Sequence, residues 1–205
     1  MNLSSPPPRV SNIVGHYPFD GNYGDVSGLN HHGTVLPTTS EPVLVADRFG
    51  NPNSAYQFNG NTVIYFGDAQ AQEFPDNRDS FSISLWVRYD TSRRDFLSIG
   101  NYGCSNSTRG VIIRLGDNRQ SQFNGCSRQG FLDGNFSDNN WHHMVFVYNR
   151  NIGRRVFVDG VVIPFYNLLG TGNIFNIRDH GLSIGGGGYR NQSLGTSLFA
   201  VSYTH

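Results

Sequence analysis

WHHMVFVYNRNIGRRVFVDGVV, residues 141–162, contains two alternating runs rich in β-branched and aromatic residues, joined by a polar turn. The second run ends in Asp159-Gly160, and VVI follows at once. An Asp-Gly pair between apolar runs supplies the two positive φ angles that a two-residue hairpin demands, so this stretch predicts antiparallel strands. The rest of the chain follows the same grammar. Its 25 Gly, with many Asn and Asp, punctuate short apolar runs, while 15 Phe, 10 Tyr and 2 Trp concentrate burial in large rings. Helical signals are poor, with two Glu, no Lys and no long run of 3.6-residue period. The expected fold is all-β: an antiparallel two-sheet jellyroll sandwich of about a dozen strands.

At 205 residues the chain has the length of one large sandwich. Residues 1–11, with Pro6-Pro7-Pro8, read as an extended lead-in, and residues 12–205 as a single domain. Strands are expected at 13–19, 54–59, 63–66, 81–89, 96–99, 111–115, 120–123, 144–148, 156–158, 161–163, 182–184 and 198–203.

Formal charge is zero, and every one of the 15 basic residues is Arg. That balance gives no attraction to nucleic acid or to an anionic bilayer. No apolar run approaches the ~20 residues that span a membrane, and MNLSSPPPRV has no apolar signal-peptide region, which leaves any export route open. Cys104 and Cys126 bracket a hairpin-like segment, and a bridge between them would add roughly 3 kcal/mol in the loop-entropy model. Acceptor sequons occur at Asn2, Asn106, Asn135 and Asn191. Together these features point to an extracellular or surface-exposed protein on a cell, in a secretion or on a virion.

Five blocks carry a family resemblance: YPFDGNYGDVSGLNHHGTV, DRFGNPNSAYQFNG, FSISLWVRY, NNWHHMVFVYN and RRVFVDGVVI, in order from Tyr17 to Ile163. In order and spacing they resemble the laminin-G-like jellyroll group of the concanavalin A-like lectin/glucanase superfamily. The resemblance implies two curved antiparallel sheets, often a calcium ion near the first loop, and often glycan or protein binding. It says little about activity, because this fold hosts lectins, adhesion modules and catalytic domains.

The loop 20–34 offers Asp20, Asp25 and Asn30 as oxygen donors for calcium. The same residues equally serve turns by bonding local amides, and SLFAVSYTH from Ser197 lacks the acidic pair that the resemblance would place in the last strand. His31-His32 and His142-His143 are adjacent pairs, whose members point to opposite faces of a strand and cannot chelate one ion. Hydrolysis of a glycoside needs two flanking carboxyl groups. The two glutamates, Glu41 and Glu73, both lie in turn-rich sequence, and no GxSxG elbow occurs. Lyase chemistry through Tyr, His and Arg has no spacing that singles out a pair.

Alternation in 81–89 sends Phe81, Ile83, Leu85 and Val87 to a core and Ser82, Ser84, Trp86 and Arg88 to the other face. Arg114, Gln120 and Gln122 on following strands are expected to share that second face. Trp86 would stack on pyranose rings while Arg88, Arg114 and Gln122 donate to sugar oxygens; alternatively, a loop covers the ring. The expected function is non-enzymatic recognition of a glycan or glycoprotein surface, lectin-like or adhesive. Alternatives are a structural subunit that self-assembles into a fibre, filament or shell, and a polysaccharide lyase or hydrolase.

Overall fold

A computed structural model describes residues 13–36, 40–58, 62–67, 80–89, 94–99, 111–116, 121–125, 129–149, 151, 153–169, 182–185 and 199–202. These carry fifteen strands: β1 Thr34–Val35, β2 Val43–Val45, β3 Ala55–Phe58, β4 Ile64–Tyr65, β5 Phe81–Tyr89, β6 Arg94–Ile99, β7 Val111–Leu115, β8 Gln122–Gly125, β9 Gln129–Leu132, β10 His142–Asn149, β11 Gly153–Val158, β12 Val161–Ile163, β13 Phe165–Leu169, β14 Leu182–Ile184 and β15 Phe199–Ser202. All pairings are antiparallel. One sheet has eight strands in the order β1-β4-β14-β6-β7-β8-β9-β13, the other seven in the order β12-β11-β10-β5-β15-β3-β2. No described helix is long and apolar enough to cross a membrane.

The hairpin from which the sequence reading started forms as expected. Asp159 and Gly160 take φ of 52° and 80°, both left-handed, and Val158 pairs with Val161 across them. Alternation then settles the faces. Leu85, Val87 and Tyr89 of β5 and Met144, Phe146 and Tyr148 of β10 are buried in one core with Val111, Ile113, Leu115 and Phe123 of the facing sheet. Phe123 meets Phe146 edge-on at 5.5 Å between ring centres, which locks the two sheets together. Each fully buried ring of this kind contributes about 1.5–3 kcal/mol relative to exposure.

Two expectations change. Residues 13–19 form no strand, although Tyr17 and Phe19 enter the core. Phe19 turns left-handed at φ 60°, which ends any extension, and the segment is tied instead to the following loop, His16 accepting from the Val26 amide at 2.9 Å. Arg114 and Gln122 pair with each other in the eight-stranded sheet, whereas Trp86 and Arg88 lie in the seven-stranded one. The second face shared by Arg114, Gln122 and Trp86 therefore does not exist. Every residue of β7 is buried, Arg114 at 7% exposure and engaged by neighbours, so that side of β7 is covered.

The lead-in 1–11, Cys104, Cys126, Asn2, Asn106, Asn191, Gln120 and Glu73 lie outside the described residues.

Candidate functional site: the outward face of the seven-stranded sheet

Opposite the core, β5 presents Ser82, Ser84, Trp86 and Arg88, as its alternation requires. Register places His143 of β10 directly beside Trp86. The two rings stack at 5.1 Å with 23° between planes, and His143 Nε2 hydrogen-bonds Ser84 Oγ at 2.8 Å. The cross-strand pair fixes the indole from one side.

A loop fixes it from the other. Between β2 and β3 the chain turns at residues 47–51, and buried Asp47 organises the turn. Its Oδ1 accepts from the amides of Phe49 at 2.8 Å and Asn51 at 2.9 Å, and its Oδ2 from Asn51 Nδ2 at 3.0 Å. Burial works against the charged form, yet these bonds and the nearby Arg48 charge hold the carboxyl below its ordinary range. The turn throws Arg48 over the Trp86 ring, 4.3 Å from its centre, and over the Phe49 ring at 4.0 Å. Phe49 itself is 68% exposed. A continuous stack results: Phe49, Arg48, Trp86, His143.

Arg48 Nη1 is buried without an acceptor, and among the described residues no carboxylate forms an ion pair with Arg48. Two residues along β5, Arg88 lies 5.3 Å from the Trp141 ring centre. Trp86 is thus half-buried beneath a loop rather than bare. The open aromatic face belongs to Phe49. Arg48, Phe49 and His143 were not singled out as ligand residues by sequence reasoning; an apolar ring beside an arginine inside a D-R-F-G-N turn is the signal that was available.

The loop 20–34 has a different character. Asp25 is buried and accepts four hydrogen bonds: from the His16 and Ser27 amides at 2.9 and 2.8 Å on Oδ1, and from Ser27 Oγ and the His31 amide at 2.8 and 3.0 Å on Oδ2. Burial favours the neutral acid, but the four donors prevail and lower its pKa. Four donors fill the lone-pair sites of a carboxylate. Asp20 is exposed and accepts from Asn22 Nδ2 at 3.3 Å, and Asn30 sits left-handed at φ 62°. This donor set does not fit a calcium ion with Asp25 as ligand, and among the described residues no group of three His, Cys, Asp or Glu could hold a metal.

A third cluster closes the sheet end. His142 Nδ1 faces Asp159 Oδ2 at 2.7 Å and Nε2 faces Asp138 Oδ1 at 3.0 Å. Desolvation pulls the imidazole down, but the two carboxylates raise it overall. Asp138, bonded by Asn140 and then His142, falls to about 2. Of the two glutamates, Glu41 accepts from the Tyr23 hydroxyl at 2.7 Å. Asn135, the one described sequon, is exposed, and its Oδ1 accepts from Ser137 Oγ at 2.8 Å.

Fold and faces define a sandwich of the lectin/glucanase type. Residues 58–194 match the Laminin_G_3 model of the concanavalin A-like lectin/glucanases superfamily, and the chain belongs to that family. No curated protein sequence matches it. Among solved structures, domain 4 of AbnA, a GH43 extracellular arabinanase from Geobacillus stearothermophilus, in complex with arabinotriose, aligns with a TM-score of 0.61 at 17% identity, over 93% of this chain and 92% of that one. Botulinum neurotoxin type C, whose cell entry depends on two ganglioside molecules, aligns at 0.57 and 13% over 93% of this chain. Trypanosoma rangeli sialidase in complex with sialic acid aligns at 0.57 and 15% over 92%. The chain spans 46% of the neurotoxin chain and 30% of the sialidase chain. At such identities the likeness is one of fold, and this fold serves binding domains and occurs in enzymes alike.

Proposed function

We propose that this protein is a non-enzymatic carbohydrate-recognition module that works outside the cell or on a surface. The observation that carries the proposal is the Phe49–Arg48–Trp86–His143 stack on the outward face of the seven-stranded sheet. An exposed ring offers a flat apolar surface to sugar C–H groups, while guanidinium edges beside it donate to sugar oxygens. The strand positions around the stack bear no carboxylate that would act as acid or nucleophile. Relatives in fold support the carbohydrate part of the reading, since one carries arabinotriose and another, an enzyme, a sialic acid.

A glycan array probed with the protein, followed by calorimetry on any hit and an assay for released reducing ends, tests it. Saturable binding that Phe49→Ala weakens, without turnover, is the expected result. Turnover would place the protein among enzymes, and absence of binding across the array would overturn the reading.

Self-assembly as a structural subunit has one supporting observation. The edge strand β12 exposes Val161 and Val162 at 62% and 55%, apolar residues on an edge with no partner strand among the described residues. Light scattering after size exclusion decides it: a discrete oligomer that Val161→Lys dissolves supports assembly, and a monomer at all concentrations refutes it.

A further inference from the structure

The chain is formally neutral, yet among the described residues the outward face of the seven-stranded sheet gathers arginines. Arg88 on β5, Arg155 on β11 and Arg48 over β5 bring three guanidinium groups to that side. Among the described side chains, the strand residues that alternation directs there on β2, β3, β5, β10, β11 and β12 include no Asp or Glu. Among the described residues, two acids of the adjoining turns are engaged elsewhere. Asp47 binds its own turn, and Asp159 accepts from the His143 amide through Oδ1 at 2.9 Å and faces His142 through Oδ2.

Arg48 is the centre of this imbalance. Its guanidinium is held by two aromatic rings and not by hydrogen bonds, and Nη1 is buried with no acceptor. Asp47 attracts this cation but forms no hydrogen bond to it, and a guanidinium partly withdrawn from water with a donor left unpaired is costly. An incoming anion would offset that cost, and it would do so where the surrounding rings reduce screening. The adjoining Phe49 ring would at the same time receive the body of a sugar.

The geometry points to an acidic glycan as the ligand: a sugar whose carboxylate or sulfate group docks at Arg48, with Arg88 flanking. This rests on the carbohydrate reading above and narrows it to a charge class.

The test compares matched probes: lactose, 3′-sialyllactose, 3′-sulfolactose, trigalacturonate and the methyl ester of trigalacturonate, each titrated into the whole protein and into Arg48→Met and Arg48→Lys. At least one acidic member should bind roughly 10-fold or more tightly than its neutral counterpart, with affinity falling as salt rises. The sialyl and galacturonate arms report a carboxylate, and the sulfolactose arm a sulfate. Arg48→Met should abolish the preference and Arg48→Lys restore only part of it, because the planar fork is lost. Unchanged near-ultraviolet dichroism shows that the variants keep the fold; should either lose it, Arg88→Gln gives a second reading of the same preference. Equal binding of acidic and neutral members overturns this inference and leaves carbohydrate recognition standing. Binding to no member of this panel and to no member of a broad array overturns both. Acid-selective binding that survives Arg48→Met puts the site elsewhere and refutes the assignment.

Discussion

Two loops of this molecule use the same turn chemistry and end in opposite states. In the loop 20–34, Asp25 is buried and both its oxygens are filled by four donors of its own chain. In the turn 47–51, Asp47 likewise accepts on both oxygens, from three donors, but the residue after it is left with an orphaned donor over an aromatic face. Composition does not separate the two, since both are rich in Asp, Asn and Gly. Satisfaction does: the first loop spends the acceptors of its buried carboxylate on the fold, whereas the second leaves a buried guanidinium donor without an acceptor.

The largest effect should come from the filled loop. Asp25→Ala leaves four donors without an acceptor, three of them backbone amides, and is expected to cost about 3–5 kcal/mol in urea denaturation. Asp25→Asn, which keeps shape but accepts fewer bonds, should cost less. Millimolar calcium should leave the melting temperature of the wild type unchanged; a rise of several degrees would break the contrast, because it would mean that the loop has oxygens to offer a metal.

Asp47→Ala comes next, at about 1–3 kcal/mol, because three bonds are lost and the turn is shorter. Its sharper consequence is functional. Without the turn Arg48 is no longer presented to Trp86, so glycan affinity should fall together with stability, whereas Asp25→Ala studied well below its melting temperature should retain affinity. Parallel losses in both variants would show that the two loops do not differ in role.

A third loop sharpens the comparison, since its polar groups are satisfied by opposite charges. His142 has a raised pKa, so its contribution is fully present below the unfolded value of 6.5 and is lost as pH rises through the folded value. Asp138 is lowered to about 2, so its contribution is present above 3.8 and is lost as pH falls through about 2. Stability should therefore be highest between these limits, on roughly a 1 kcal/mol scale given the exposed Asp138. Unfolding measured against pH should show this plateau, and His142→Gln should flatten its upper edge.

Much of this was legible because of burial. The alternation of β5 places Trp86 and Arg88 on one side and Leu85 and Val87 on the other, since only one side of that strand faces the core. Alternation assigns faces within a strand but never the sheet to which a strand belongs, which is why Arg114 and Gln122 were grouped with Trp86 and belong elsewhere. Residues 13–19 alternate well enough to read as a strand, but pairing is a property of neighbours, and Phe19 turns away. Arg48 and Phe49 sit in a turn, where periodicity carries no information and only the tertiary approach to Trp86 gives them a role.

The smallest expected change in stability belongs to Arg48→Met, and it tests the contrast between filled and stranded groups most directly. Loss of the cation–π contacts costs about 0.5–1 kcal/mol at a partly exposed site. Against that, the variant removes a buried donor with no acceptor, whose desolvation is worth about 1–3 kcal/mol. Methionine keeps an apolar stem and a polarisable sulfur against the rings of Phe49 and Trp86. The two effects should nearly cancel or favour the variant slightly, leaving urea midpoints within experimental spread of the wild type. A loss of 2 kcal/mol or more would mean that Arg48 is a strut of the fold after all. Near neutrality, with the preference for acidic sugars gone, would show a residue kept for its ligand at no benefit to the folded chain.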